Sequence, residues 1–332
     1  MRHVDRKSWP LQRLAAVTAC ALGLIGAGKT VQAADVIVPG NTDFPESMSG
    51  TADGTLYFSS FAGGRIFRAT PGATEAQEWI KPGASGLSSV LGVLADPKSN
   101  TLYACSDDFS GGGINVAGGD KVTALKLFDL TTGAPKANLP LPASKLLGQA
   151  ALCNDIAVAS DGTAYVTDSL SGYILRLKPG SSTLEVWAHD PRWDVKGPQL
   201  DGIAILSDGN VYANLFEGDG LYRIAMNPDG SAGAITKLQT SRPLYHSDGL
   251  RAFGANKLLM VEGETKGFLD LITVSGDKAQ IDTVKDGFAG PVSLWQVGGT
   301  VYVLDTPLSY LFDPKLKGKG PPFTAFAVKA PE

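Results

Sequence analysis

The sequence predicts an all-β fold, a six-bladed β-propeller with four-stranded blades and a metal site at its centre. Three observations predict it. A unit recurs six times at a period of 44 to 47 residues with one longer step, each copy reads as a meander of short strands around tight turns, and no apolar stripe of helical period and useful length occurs. Composition agrees with a packed, turn-rich chain: of 332 residues, 43% are hydrophobic and 19% charged, with 40 Gly and 20 Pro. Glycine above the usual level and charge below it exclude disordered, coiled-coil and collagen-like classes. Lys and Arg total 29 against 33 Asp and Glu, with no basic run interleaved with aromatics, so the electrostatic footprint of nucleic-acid binding is missing.

Residues 1–33 read as a secretory signal peptide, with basic Arg2, Arg6, Lys7 and Arg13, an apolar run over 14–27, and the small-x-small sequence Val31-Gln32-Ala33. The run is shorter than the ~20 residues that span a bilayer, and the pattern predicts cleavage after Ala33. A lipoprotein reading would use Cys20, but Val17-Thr18-Ala19 ahead of it is a poor match. Five of the basic residues and one acid lie in 1–33, so the propeller domain, 34–332, is acidic by eight charges. No later apolar run is long enough to cross a membrane. The expectation is a periplasmic or secreted monomer acting on a small molecule. Export permits Cys105 and Cys153 to pair, and two buried thiols are the other reading; both stay open.

Four segments share one template that opens on a polar residue: Glu46 to Asp53-Gly54 and Tyr57; Asn154 to Asp161-Gly162 and Tyr165; Asp201 to Asp208-Gly209 and Tyr212; Asp248 to Asn256 and Leu259. Two weaker copies open near Leu91 and Val292. An apolar run, an Asp-Gly or equivalent turn and a second apolar run make a β-hairpin. Third strands follow over 65–69, 122–128, 173–177, 221–226 and 268–274, and fourth strands over 185–188, 235–238 and 279–284. The openers at 46, 91, 154, 201, 248 and 292 are 44 to 47 apart except for one step of 63. The long step holds a segment, 107–120, predicted to form a surface loop between the second and third strands of blade two, toward the mouth of the channel. Apolar segments at 36–38 and 323–328 are free to close the ring in one blade.

In a propeller the first strand of every blade lines the central channel, so the six openers converge. Glu46, Asp201 and Asp248 would repel strongly there unless a cation neutralised them. With Asn154 they make an all-oxygen donor set, which favours Ca²⁺ over Zn²⁺ and admits Mg²⁺ or Mn²⁺. A water-filled polar channel without an ion, or an ion that only ties blades together, is the alternative.

The motifs Pro45-Glu46-Ser47, Asn154-Asp155 followed by Ser160-Asp161-Gly162, and Ser247-Asp248-Gly249 resemble the gluconolactonase and senescence-marker-protein-30 group, which includes proteins like the luciferin-regenerating enzyme, with paraoxonases as distant relatives. The resemblance spans 40–328. It implies a six-bladed propeller with one axial divalent metal, commonly Ca²⁺, that hydrolyses lactones and sometimes other esters, with Glu46, Asn154, Asp201 and Asp248 at the metal and site positions. Asp201 departs from the group, which usually has Asn there; the extra charge would tighten ion binding and weaken the ion's polarising power.

By that resemblance the reaction is lactone or ester opening by a metal-activated water, with Asp248 or His246 as the base. His189 has a weaker claim. The segment 190–196 reads either as a lid presenting Arg192 and Trp193 to the substrate or as surface packing, and Asp168, Asn214, Glu262 and Asp305, at the ends of second strands, read either as contacts to the substrate's polar groups or as turn formers. Gly-x-Ser-x-Gly does not occur, and no glycine-rich loop leads from a strand into a helix to cradle a nucleotide phosphate. Two other functions remain open: a propeller that only binds a ligand, and a metal-dependent reaction that is not hydrolysis.

Overall fold

A computed structural model describes Met1 and residues 33–142, 151–263, 266–313, 315–316 and 320–332. The signal-peptide reading, Cys20 included, lies outside the described residues except at its two ends.

Six antiparallel sheets follow one another along the chain. Blade one is Met48–Gly50, Leu56–Phe58, Ile66–Ala69 and Gln77–Ile80; blade two is Ser89–Asp96, Thr101–Asp107, Ala124–Asp129 and Pro135–Pro140. Blade three is Cys153–Val158, Ala164–Asp168, Tyr173–Leu177 and Glu185–His189; blade four is Leu200–Ile205, Val211–Leu215, Leu221–Met226 and Ala232–Lys237. Blade five is Ser247–Phe253, Lys257–Glu262, Gly267–Ser275 and Lys278–Phe288, widened by a two-residue parallel strand, Gln239–Thr240, on its outer edge. Blade six takes Pro291–Val297, Thr300–Asp305 and Phe323–Lys329 from the end of the chain and its outer strand, Val36–Val38, from the start. Val36 faces Ala325 and Val38 faces Phe323, so the two terminal apolar segments close the ring together, as the sequence suggested.

The repeated turn has one chemistry. Asp53, Asp161 and Asp208 each accept, through Oδ1, the N–H two residues on, at 2.9 Å. The glycine after each takes a left-handed φ of +96°, +89° and +78°, which a side chain would oppose. The residue that opens the next strand's buried face, Tyr57, Tyr165 or Tyr212, is then buried between blades. Tyr212 and Leu221 of blade four, for example, share a core cluster with Leu258 and Ile272 of blade five. Each blade thus buries against its neighbour the faces it could not bury alone.

Cys105 on the second strand of blade two and Cys153 on the inner strand of blade three form a disulfide, Cα–Cα 5.1 Å, so the open choice between a bridge and two thiols falls to the bridge. The 107–120 segment lies between the second and third strands of blade two, as read, and its Asp120 pairs with buried Lys126 at 2.6 Å.

Candidate active site

The inner strands carry a shared irregularity that aims the openers. In blades two to six the register between inner and second strand shifts at the opener: between Val90 and Val93, Cys153 and Ile156, Leu200 and Ile203, Ser247 and Leu250, and Pro291 and Ser293. A bulge places an extra residue on one strand and re-aims its side chain. The inner strands also approach closely. A Cβ on Gly202, the residue after Asp201, would lie 2.5 Å from the carbonyl oxygen of Asp248, and one on Gly249 would lie 2.9 Å from the Cα of Ser293. Glycine is therefore dictated beside these openers by space.

Second strands of neighbouring blades then fix the opener backbones. Thr167 donates to the carbonyl of Asp201 at 2.7 Å, and the Asn214 amide donates to that of Asp248 at 2.8 Å. In blade one, Ser59 Oγ accepts the N–H of Glu46 at 3.1 Å.

All six openers line one cavity of about 450 Å³, and His246 lines it too. Its floor is the acidic set. Asn154 donates its amide to Asp201 Oδ2 at 3.0 Å, and Oε2 of buried Glu46 has no partner among the described residues. Burial, then the charges of Asp201 and Asp155, raises the Glu46 carboxyl well above the ordinary range. Burial and then Asp155 lift Asp201 to about 7. Burial, then Asp201 and Glu46, raises Asp248 strongly. Below the floor, Arg251 of blade five reaches Asp155 of blade three with two bonds of 2.5 and 3.0 Å, a buried pair spanning the channel.

These residues fit a hard cation by type and by electrostatics, for three carboxyls resist ionising together and one carboxyl oxygen is orphaned. The arrangement is not closed round a centre: among the described residues no three His, Cys, Asp or Glu side chains are set to hold a metal ion as they stand.

His246 takes a left-handed φ of +46° and is sandwiched between Phe216, 5.1 Å away with planes 13° apart, and Tyr245, 4.3 Å away at 17°. Both ring faces are covered, so only its edge can address the cavity.

The remaining predicted contacts lie elsewhere. Trp193 is 0% exposed, its ring edge-on to Tyr222 in the core between blades three and four, so it cannot serve as a lid residue. Arg192 is held in a fork by Asp190 at 2.7 and 2.6 Å and bonds the carbonyl of Ile235 at 2.8 Å. His189 pairs with Asp194 at 3.0 Å. Asp168, Asn214 and Glu262 do not line the cavity either. Their strand-end position makes them braces: Asp168 accepts the N–H of Leu152 at 2.9 Å, Glu262 accepts that of Tyr245 at 3.2 Å and pairs with Arg242, and Asn214 holds Asp248 as described. Asp305 likewise accepts the N–H groups of Ala289 and Gly290 at 3.0 and 2.6 Å.

The sequence reading missed the cavity wall, formed by Phe61, Phe109, Phe216 and Phe312, and by Thr306, whose buried hydroxyl has no partner among the described residues. Phe61, Phe109 and Phe216 each fall within three residues of a second strand's end, in loops that emerge on the opener face; that position was the available signal.

No protein-family model matches the sequence, and no curated protein matches it. Solved structures match in fold. A luciferin-regenerating enzyme gives a TM-score of 0.62 at 13% identity over 88% of this chain and 92% of that one. A gluconolactonase from Xanthomonas campestris gives 0.58 at 16% over 80% and 84%, and regucalcin from Agrobacterium tumefaciens, described as a calcium-binding protein, gives 0.60 at 14% over 90% and 96%. The chain is a six-bladed β-propeller. Its structural neighbours include the protein types that its motifs resemble, and at these identities the likeness shows the fold alone.

Proposed function

We propose that the protein is an exported, divalent-metal-dependent hydrolase that opens a lactone or ester in the central cavity. The observation that carries this reading is the convergence of Glu46, Asn154, Asp201 and Asp248 on the floor of a cavity that His246 also lines. The names of the gluconolactonase and regucalcin neighbours support it. Glu46, Asp201 and Asp248 would hold the ion with Asn154, and Ca²⁺ suits four protein oxygens best. Such an ion, when bound, polarises a carbonyl and acidifies water. The chain's own residues do the rest. The buried acids exclude a second anion from the floor, the apolar wall shields the reacting carbonyl from bulk water, and His246 or Asp248 takes the proton of the attacking water. A carboxylate that holds a cation is a weak base, which gives the half-buried His246 edge the better claim.

The test is proton release from a panel of lactones and simple esters by the purified protein, before chelation, after it, and with Ca²⁺ restored. The reading expects activity that disappears and returns. Silence toward every substrate by protein that binds the ion would turn the account toward a binding role.

A further inference from the structure

Resting on the hydrolase reading, we infer that the substrate is an alkyl- or aryl-substituted lactone or ester and not a polyhydroxylated sugar lactone. Beyond the floor set, the polar side chains that line the cavity are Glu217, His246, Thr306 and Ser309, while Phe61, Phe109, Phe216, Phe312, Leu91 and Leu152 supply a larger hydrocarbon surface. The rings are linked from wall to rim. Phe61 meets Phe109 edge-on at 4.7 Å and Phe312 at 5.8 Å, and Phe312 is 59% exposed at the mouth.

The three rings come from separate connections: Phe61 follows the second strand of blade one, Phe109 belongs to the extra segment of blade two, and Phe312 ends a short helix, Ser309–Phe312, in blade six. Through its contact with Phe61, Phe312 carries the apolar lining of the cavity out to solvent. A sugar lactone carries hydroxyls on most of its ring carbons, and each one pressed against these rings would lose water without gaining a partner. The Thr306 hydroxyl supplies a single buried hydroxyl to the wall, enough for one polar atom of a largely apolar ligand. The volume of about 450 Å³ lies within the range of small-molecule sites, ~300–1,000 Å³.

The experiment has two arms. Calorimetry on the whole protein measures binding of five-membered lactams, which resist hydrolysis, carrying alkyl chains of increasing length, beside a polyhydroxylated six-membered lactam. Hydrolysis of the matching lactones is followed in parallel. The expected result is tighter lactam binding by up to about fourfold per added methylene, with the hydroxylated compound weakest, and a flattened series in a Phe61→Ser/Phe312→Ser variant that keeps the wild-type melting curve. If the double variant is unstable, Phe312→Ser alone, at an exposed position, serves. A flat series, no lactam binding, preference for the hydroxylated lactam, or a gradient unaltered in Phe312→Ser each overturns the inference. A clear gradient without hydrolysis of any lactone or ester would sink the hydrolase reading and leave the apolar site standing; hydrolysis with a flat series would do the reverse.

Discussion

Asp201→Asn tests the electrostatics of the cavity floor with little change of shape. The asparagine oxygen can still accept the Asn154 amide, but the side chain can no longer ionise. In the ion-free protein, burial and then Asp155 lift the Asp201 carboxyl from its ordinary 3.8 to about 7. The folded value lies above the unfolded one, so between about pH 4 and 7 the native state keeps a proton that the unfolded chain has lost. Stability from this group is complete below pH 4 and falls as pH rises through about 7. At ~1.4 kcal/mol per pH unit the loss is ~4 kcal/mol, an upper bound because Glu46 and Asp248 share the repulsion. In chelator the variant is therefore expected to match wild type at pH 4 and to exceed it at pH 8 by up to ~4 kcal/mol. Saturating Ca²⁺ at pH 8 is expected to reverse the order, since wild type would hold the proposed ion with one more charge. Urea unfolding at both pH values, with and without ion, reads all four states. Parallel curves for the two proteins in chelator would refute the buried-acid argument.

Exchanging Thr306 for Val removes a buried hydroxyl without a partner, so the melting temperature is expected to rise by an amount worth ~1 kcal/mol while lactone turnover falls; a thermal melt and a proton-release assay check the two halves. Replacing both Cys105 and Cys153 by Ala opens a loop closed over a separation of 48 residues and is expected to cost ~4 kcal/mol in urea unfolding. Gly202→Ala puts a methyl group against the Asp248 carbonyl and is expected to lower both the melting temperature and Ca²⁺ affinity. His246→Gln is expected to slow turnover without releasing the ion, with a flattened pH–rate profile; an unchanged profile removes His246 as the base.

The blades were legible because their turns use local chemistry. Asp-Gly pairs at 53, 161 and 208 announce hairpins from within the sequence, and the polar openers stand at a fixed offset before them. Once that period is read as a ring, Glu46, Asn154, Asp201 and Asp248 must face one axis, and they do. The bulges that aim them were not legible, for a register shift depends on the partner strand. Residues at second-strand ends stayed open between substrate contact and a local structural role for a related reason. Asp168 and Glu262 lie on the cavity's side of the molecule, but one oxygen of each is claimed by a backbone N–H of an adjoining connection, and Arg242 takes the other oxygen of Glu262. Trp193 sits in an Asp-Pro-rich connection that reads as exposed, and only the meeting of two blades supplies the pocket that buries it. The Asp155–Arg251 pair joins residues 96 positions apart and has no local signal.

Titration of chelator-stripped protein with Ca²⁺ by calorimetry, beside Glu46→Gln and Asp248→Asn, asks whether the converging acids hold an ion. One ion per chain is expected in wild type, with a loss of affinity of at least tenfold in each variant, both remaining folded. Binding of equal strength in all three proteins, or none in wild type, would contradict that expectation.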